Sequence, residues 1–512
     1  MNKFMNGINV MKNTITTENG ATAYGSTLTA LYDMFALGGS YRSRSDDDCI
    51  FLFKKAFEEN ESYALKCLFY LRDVRGGQGE RRFFRVCMKW LATQNIDAAK
   101  RNLKYVPEFG RWDDLYLFVG TPCQDEAFKF MKEQLALDLT CKTPSLLAKW
   151  LKSENTSSQE SRDLASKTRR YLGMTSKQYR KTLSVLRERI NVLERLMSAG
   201  KWDEIEFDKI PSRAGFLYKN AFARHDVERA KAGAKTYEDF AKDTTTKVNA
   251  KTLYPYECVE RAREAMGCVY SWYGYKTPAI NTVDRLMVNK YWENLADYIN
   301  GAAFNGIAIV DTSGSMCGSG YGNRTVAPID VAISIGMYCA EKNRGPYAGH
   351  FLTFNSQPKF MKVEGIDFCD KVSRILQAPW GGSTNVEAAF DLILQIAIDN
   401  HCSSDEIPQN LIIISDMEFN SCATSNGYGR LSANSSLFEQ MRAKWEAYGY
   451  KMPKLVFWNV DARQDNFAMK DEENVSYVSG FSPVLFEQIM KGKTAQDLMY
   501  DKLNDKRYAC IK

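Results

Sequence analysis

Three short apolar runs beyond residue 300 constrain this chain more than any other feature: Ile307–Val310, Leu411–Ile414 and Leu455–Val460. They are rich in β-branched and aromatic residues, too short for ordinary helices, and closed by polar side chains. That pattern fits strands buried on both faces of a parallel sheet. His350–Phe354 reads as a further strand and Val475–Val478 as a last one, with helical apolar spacing from about Ala327 to Ala340, from Val386 to Leu394 and from Val484 to Met490. Strands that alternate with helices predict an α/β doubly wound domain. Ligands of such sheets bind outside the carboxyl ends of the strands.

The first run leads straight into Asp311-Thr312-Ser313-Gly314-Ser315. Gly314 lets the backbone swing, so Asp311, Ser313 and Ser315 can converge on one point. Oxygen donors favour magnesium, with manganese and calcium as alternatives, over zinc. Three oxygens leave an octahedral shell incomplete, and the chain offers two more: Thr384, in the Gly381–Asn385 loop before a helix, and Asp416, at the end of the second run. Taken singly, Asp, Ser and Gly are ordinary turn formers. The glycine-rich stretch from Cys317 to Asn323 lacks the Gly-Lys-Ser/Thr ending of a phosphate-binding loop and reads as a lip beside the metal.

Together the five residues resemble the metal-ion-dependent adhesion site of von Willebrand factor A domains: Asp-x-Ser-x-Ser, then a Thr, then an Asp after a later strand. The resemblance implies that Ser313, Ser315 and Thr384 approach the ion directly, while Asp311 and Asp416 act through water or orient its ligands. Hydroxyls and water neutralise little of the ion's charge, so it can take an acidic residue of a protein partner as its last ligand. This implies capture without catalysis. The three histidines, His225, His350 and His401, have no neighbouring ligand at metal spacing, which disfavours zinc and histidine-based chemistry.

Net charge divides the chain. Residues 301–512 hold 20 Lys and Arg against 24 Asp and Glu, a balance of −4; the whole chain's 68 and 62 leave 48 and 38, or +10, for residues 1–300. A basic region of this size suits an anionic partner, with nucleic acid first. No apolar run approaches the ~20 residues that cross a bilayer, and Met1–Gly20 has no signal-peptide core, so no membrane partner and a cytoplasmic location are expected. Thirteen cysteines without a Cys-x-x-Cys pair argue for a reducing compartment.

From about Ser26 to Asn300 apolar residues recur three and four apart, which predicts paired antiparallel helices stacked as a solenoid. The expected division is an N-terminal tail over 1–25, the helical region over 26–300 and the sheet domain over 301–512. Two segments here, Tyr70–Arg81 (YLRDVRGGQGER) and Gly110–Leu115 (GRWDDL), resemble signatures of TROVE-like proteins of phages, bacteria and plants, in which a helical region precedes a von Willebrand A domain. Leu193–Trp202 and Ile210–Ala214 are similar to that family as well. Its architecture resembles that of the Ro autoantigen, whose ring of helical repeats binds small and misfolded RNAs, and the resemblance implies an RNA-binding scaffold, a ribonucleoprotein component.

Candidate RNA contacts follow. Arg72, Arg75 and Arg81 flank a Gly-rich loop suited to phosphate contact; alternatively, Arg72 and Arg75 pair with Asp73 and Glu80. Lys177, Arg180, Lys181 and Arg187 lie on one helical stretch, with Tyr179 placed to stack a base. Glu188 and Glu194 interrupt that stripe, and a solvated helix face would carry the same charges. A metal-dependent interaction adaptor without nucleic acid remains the alternative function.

Overall fold

The computed structural model describes residues 13–266, 282–301, 303–317, 326–355, 357–377, 384–420, 437–469, 474–490 and 495–512. A mostly helical N-terminal region is followed by a mixed, largely parallel sheet. In space the chain forms two compact units that interleave along the sequence. One comprises Met1–Ala64 and Ala250–Asp505, the other Leu65–Asn249 and Lys506–Lys512. The sequence suggested instead a serial division at residue 300.

In the sheet unit, β1 (Thr14–Thr16) and β2 (Thr22–Tyr24) form an antiparallel hairpin within the stretch expected to be a tail. The main sheet contains β3 (Gly306–Asp311), β4 (His350–Phe354), β5 (Lys359–Lys362), β6 (Asn410–Ser415), β7 (Lys454–Asn459) and β8 (Val475–Ser479). Their order is β5-β4-β3-β6-β7-β8, and β5 alone runs antiparallel to its neighbour. Every residue of β3 is buried, so both faces are covered, as an unbroken apolar run requires.

Neighbouring residues of β7 identify the two covers. Phe457 meets Phe438 of the helix Leu437–Ala447, while Trp458 meets Phe486 of the helix Leu485–Ile489. On the Trp458 side lies the helix Pro328–Lys342, whose Tyr338 stacks on Phe486. There Gly336 lets the helix approach β3, since a Cβ at that position would lie 2.6 Å from Val310 Cγ2.

The helical unit is built of short amphipathic helices. Arg82–Gln94 packs against Ile96–Leu103, and Gln124–Thr140 against Gln159–Leu172. Phe69, Phe84 and Phe109 form an edge-to-face cluster, which Tyr508 joins by stacking on Phe109 at 5.5 Å between centroids. In the last turn Tyr508 is fully buried, and its hydroxyl donates to Asp73 Oδ2 at 3.0 Å beside the Arg507–Asp73 ion pair. An aromatic ring with an acid to bond outweighs the fraying of a charged end.

Candidate metal centre and basic surface

Chain direction and strand order build the first site. From β3 the chain passes to β4 on one side, whereas β6 lies on the other, so the sheet has its topological switch at β3. Val310 pairs in register with Ile414, which brings Asp311 and Asp416 out at the same edge.

The switch brings four of the five expected side chains together, Asp311, Ser313, Ser315 and Asp416. Ser313 N–H donates to Asp311 Oδ1 at 2.9 Å, and the Ser313 and Ser315 hydroxyls lie 3.1 Å apart. Asp311 and Asp416 are buried and close enough to perturb each other. Burial, then the Asp416 charge, pushes Asp311 well above the ordinary carboxylate range. Burial raises Asp416 too, opposed by Arg463 and by hydrogen bonds from Glu418 N–H and Ser315. Among the described residues Asp416 Oδ2 has no hydrogen-bond partner; Arg463 Nε stands 3.5 Å away and makes no hydrogen bond with them either.

Two buried carboxyls that strain against their own charge, beside convergent hydroxyls, fit a hard divalent cation. With two carboxylates and the Ser313 and Ser315 hydroxyls this set is distinct from a histidine, cysteine and carboxylate cage, and no group of three or more such residues gathers among the described residues. Gly381, Gly382, Ser383 and the stretch from Gly318 to Asn323 lie outside the described residues.

Thr384 is buried and reached from an unexpected direction. Asn19, at the turn of the β1–β2 hairpin, donates through Nδ2 to Thr384 Oγ1 at 3.3 Å and to the Glu418 carbonyl. Thr17 Oγ1 donates to Phe419 O at 2.7 Å, Glu18 N–H donates to Glu418 Oε2 at 2.7 Å, and the Glu18 carboxylate pairs with Arg463. The hairpin, Glu418, Arg463 and Asn466, which donates to Glu418 Oε1, thus frame the site, and sequence reading missed all of them. Their signal is tertiary, because Glu18 and Glu418 are 400 positions apart.

Ser415, also missed, donates through Oγ to Asp311 Oδ2 and accepts from Met417 N–H at 3.1 Å. Met417 adopts a left-handed backbone at φ 66°, a conformation costly for a side-chain-bearing residue, so strain is concentrated beside Asp416. Asp461 is buried and accepts from Ser43 Oγ at 2.7 Å; its charge also raises Asp416.

The basic candidates divide into buried and exposed sets. Arg72 is 2 % exposed and binds Asp114, so it is withdrawn from solvent and cannot contact RNA. Its local pairing with Asp73 or Glu80 is replaced as well. Asp73 holds Arg507, and Glu80 Oε1 accepts from Arg82 N–H at 2.9 Å. The reason is the fold of the Gly loop: Gln78 and Glu80 donate back to Tyr70 O and Leu71 O, which directs Arg72 towards Gly110–Asp114. At Gly77 a Cβ would stand 2.0 Å from Tyr70 O, so that turn admits only glycine. Arg75 is exposed and donates to Glu108 O at 2.7 Å; Arg81 grips Asp113 and Asp114.

On the helix Ser176–Arg189, Arg187 turns inward to Ala148 O, Leu151 O and Ser153 Oγ, and Tyr179 is buried with its hydroxyl on Lys152 O. Tyr179 therefore cannot stack a base. Lys177, Arg180 and Lys181 are exposed, and the described residues place no carboxylate on any of them. No helix among the described residues is long and apolar enough to cross a membrane.

The fold and sites define a protein with a helical basic unit and a parallel-sheet unit whose switch point holds two buried carboxyls. Residues 17–144 and 136–302 match the sequence family described as Domain of unknown function (DUF2828), and the chain belongs to that family. Residues 305–508 match a second, Domain of unknown function (DUF7788). An uncharacterised protein of Acanthamoeba polyphaga mimivirus is 32% identical over 523 residues, which cover 94% of this chain and 86% of that one. The crystal structure of Deinococcus radiodurans Ro (RSR) protein aligns with a TM-score of 0.43 and 14% identity over 93% of this chain and 99% of that chain.

Proposed function

We propose that this protein is a non-catalytic RNA-binding scaffold, its helices stacked as HEAT-like pairs and its sheet unit a von Willebrand-type domain that captures an acidic residue of a protein partner through Mg2+. The observation that carries the RNA reading is the exposed set Lys177, Arg180 and Lys181 on one helix, cations with no acid to neutralise them among the described residues. The resemblance of the Arg-Gly and Trp-Asp-Asp segments to TROVE-like proteins supports it. In this reading Ser313, Ser315 and Thr384 hold the ion, while Asp311 and Asp416 supply its countercharge.

Labelled single-stranded RNA titrated into the full chain across a salt series tests the reading. Changing Lys177, Arg180 and Lys181 to Glu should weaken binding and flatten the dependence on log salt by about 0.7 per lost phosphate contact. No binding even at low salt would remove it.

A metal-dependent adaptor without RNA is the second reading, favoured by Asp416 Oδ2, which makes no hydrogen bond among the described residues. Its mark is partner capture that EDTA or Asp311→Ala abolishes and ribonuclease leaves intact.

A further inference from the structure

The helical unit contains an arginine cluster with more positive charge than its carboxylates balance. Asp113 and Asp114, both buried, are gripped by Arg72, Arg81, Arg85 and Arg111, so four guanidiniums share two carboxylates. Arg72 is consumed inside. The other three reach the surface, at 40%, 33% and 29% exposure for Arg81, Arg85 and Arg111.

Their positions are closely set. Arg81 and Arg85 share Asp114 Oδ1, at 3.3 and 2.6 Å, and both face Asp113 Oδ2; Arg111 spans the two Asp113 oxygens at 3.0 and 3.2 Å. On each of these three the Nη1 group has no partner among the described residues. The Arg111 guanidinium also lies over the Trp150 ring at 4.3 Å, with the Lys149 ammonium 5.8 Å from the same ring.

Such a cluster is poised for an anion. The aspartates and Trp150 have already ordered the side chains, so a ligand need not meet that entropy cost. Burial, and then repulsion by Arg81 and Arg72 against the attraction of Asp113 and Asp114, holds Arg111 below its ordinary pKa, a strain that a bound anion would relieve. Phosphate oxygens match the guanidinium fork.

We propose that Arg81, Arg85 and Arg111 form a phosphate-binding site that takes a phosphodiester of an RNA strand. The RNA source rests on the function proposed above; the phosphate chemistry rests on the cluster itself.

The experiment titrates the full chain with inorganic pyrophosphate, followed by thermal unfolding, and separately with labelled single-stranded RNA across a salt series. Wild type is compared with Arg111→Gln and with Lys149→Glu, which lies outside the ion-pair lattice. The site is supported if pyrophosphate raises the melting temperature of wild type but not of Arg111→Gln, and if each variant loses about tenfold or more in RNA affinity. RNA binding that neither variant alters overturns the site while the RNA reading stands. Protection by pyrophosphate that Arg111→Gln removes, in a chain that binds no RNA, supports the phosphate site and overturns its RNA source.

Discussion

Arg72 donates through Nη2 and Nε to Asp114 Oδ2, at 2.6 and 2.9 Å, across 42 residues of sequence, with both side chains buried. Removing one partner strands the other charge. Asp114→Ala should therefore cost about 3–5 kcal/mol in urea unfolding, and Arg72→Met with Asp114→Leu together should cost less than either single change. Additive losses would show that the two residues do not act as a pair.

The same carboxyl sets a pH dependence. Burial alone would raise Asp114, but Arg72 and Arg85 hold it at about 2. The unfolded value is about 3.9, so the unfolded chain binds more protons between these values and stability rises with pH there. The contribution, about 2 kcal/mol, should be complete above pH ~5 and lost as pH falls towards 2. Unfolding measured from pH 2 to 6 should show this arm in wild type and a flatter one in Asp114→Asn.

At the sheet switch, Mg2+ or Mn2+ at about 100 times its dissociation constant should raise stability by about 2.7 kcal/mol. Calorimetry and thermal unfolding should show that gain abolished by Asp416→Ala and reduced by Ser415→Ala, which frees Asp311 Oδ2. An equal gain in Asp416→Ala would place the ion elsewhere.

Arg463 competes for the same charge from 3.5 Å. Arg463→Ala should raise Mn2+ affinity by about tenfold, since a like charge beside the ion disappears. Unchanged or weaker affinity would mean that Arg463 serves the site only by holding Glu18 and the hairpin.

Tyr508 buries its ring on Phe109 and its hydroxyl on Asp73. Tyr508→Ala should cost the helical unit about 3–5 kcal/mol, read as earlier loss of amide protection in the Phe69–Phe84–Phe109 cluster. Tyr508→Phe, which keeps the ring, should cost about 1–2 kcal/mol.

How far the fold could be read locally depended on where each element finds its partners. The strand run Leu411–Ile414 is buried on both faces, so composition alone revealed it, and Asp416 followed from its end. The hairpin Thr14–Tyr24 has only two short strands, one of them half-buried, and its identity depends on docking at Asn420 and Phe467. No local pattern could announce that. Charge was legible in kind but not in destination: Arg72, Arg187 and Tyr179 look like surface contacts in a basic stretch, yet each is turned inward.

The sequence by itself determined the helical and sheet regions, the strand-end placement of Asp311 and Asp416, and the surplus of basic residues, because periodicity, short apolar runs and composition are local properties. Only the tertiary structure decided that residues 13–25 frame the candidate metal centre, that Lys506–Lys512 belongs with the helices, and which arginines remain at the surface. Those outcomes depend on ion pairs and burial between residues tens to hundreds of positions apart, whose energies exist only once the chain has closed on itself.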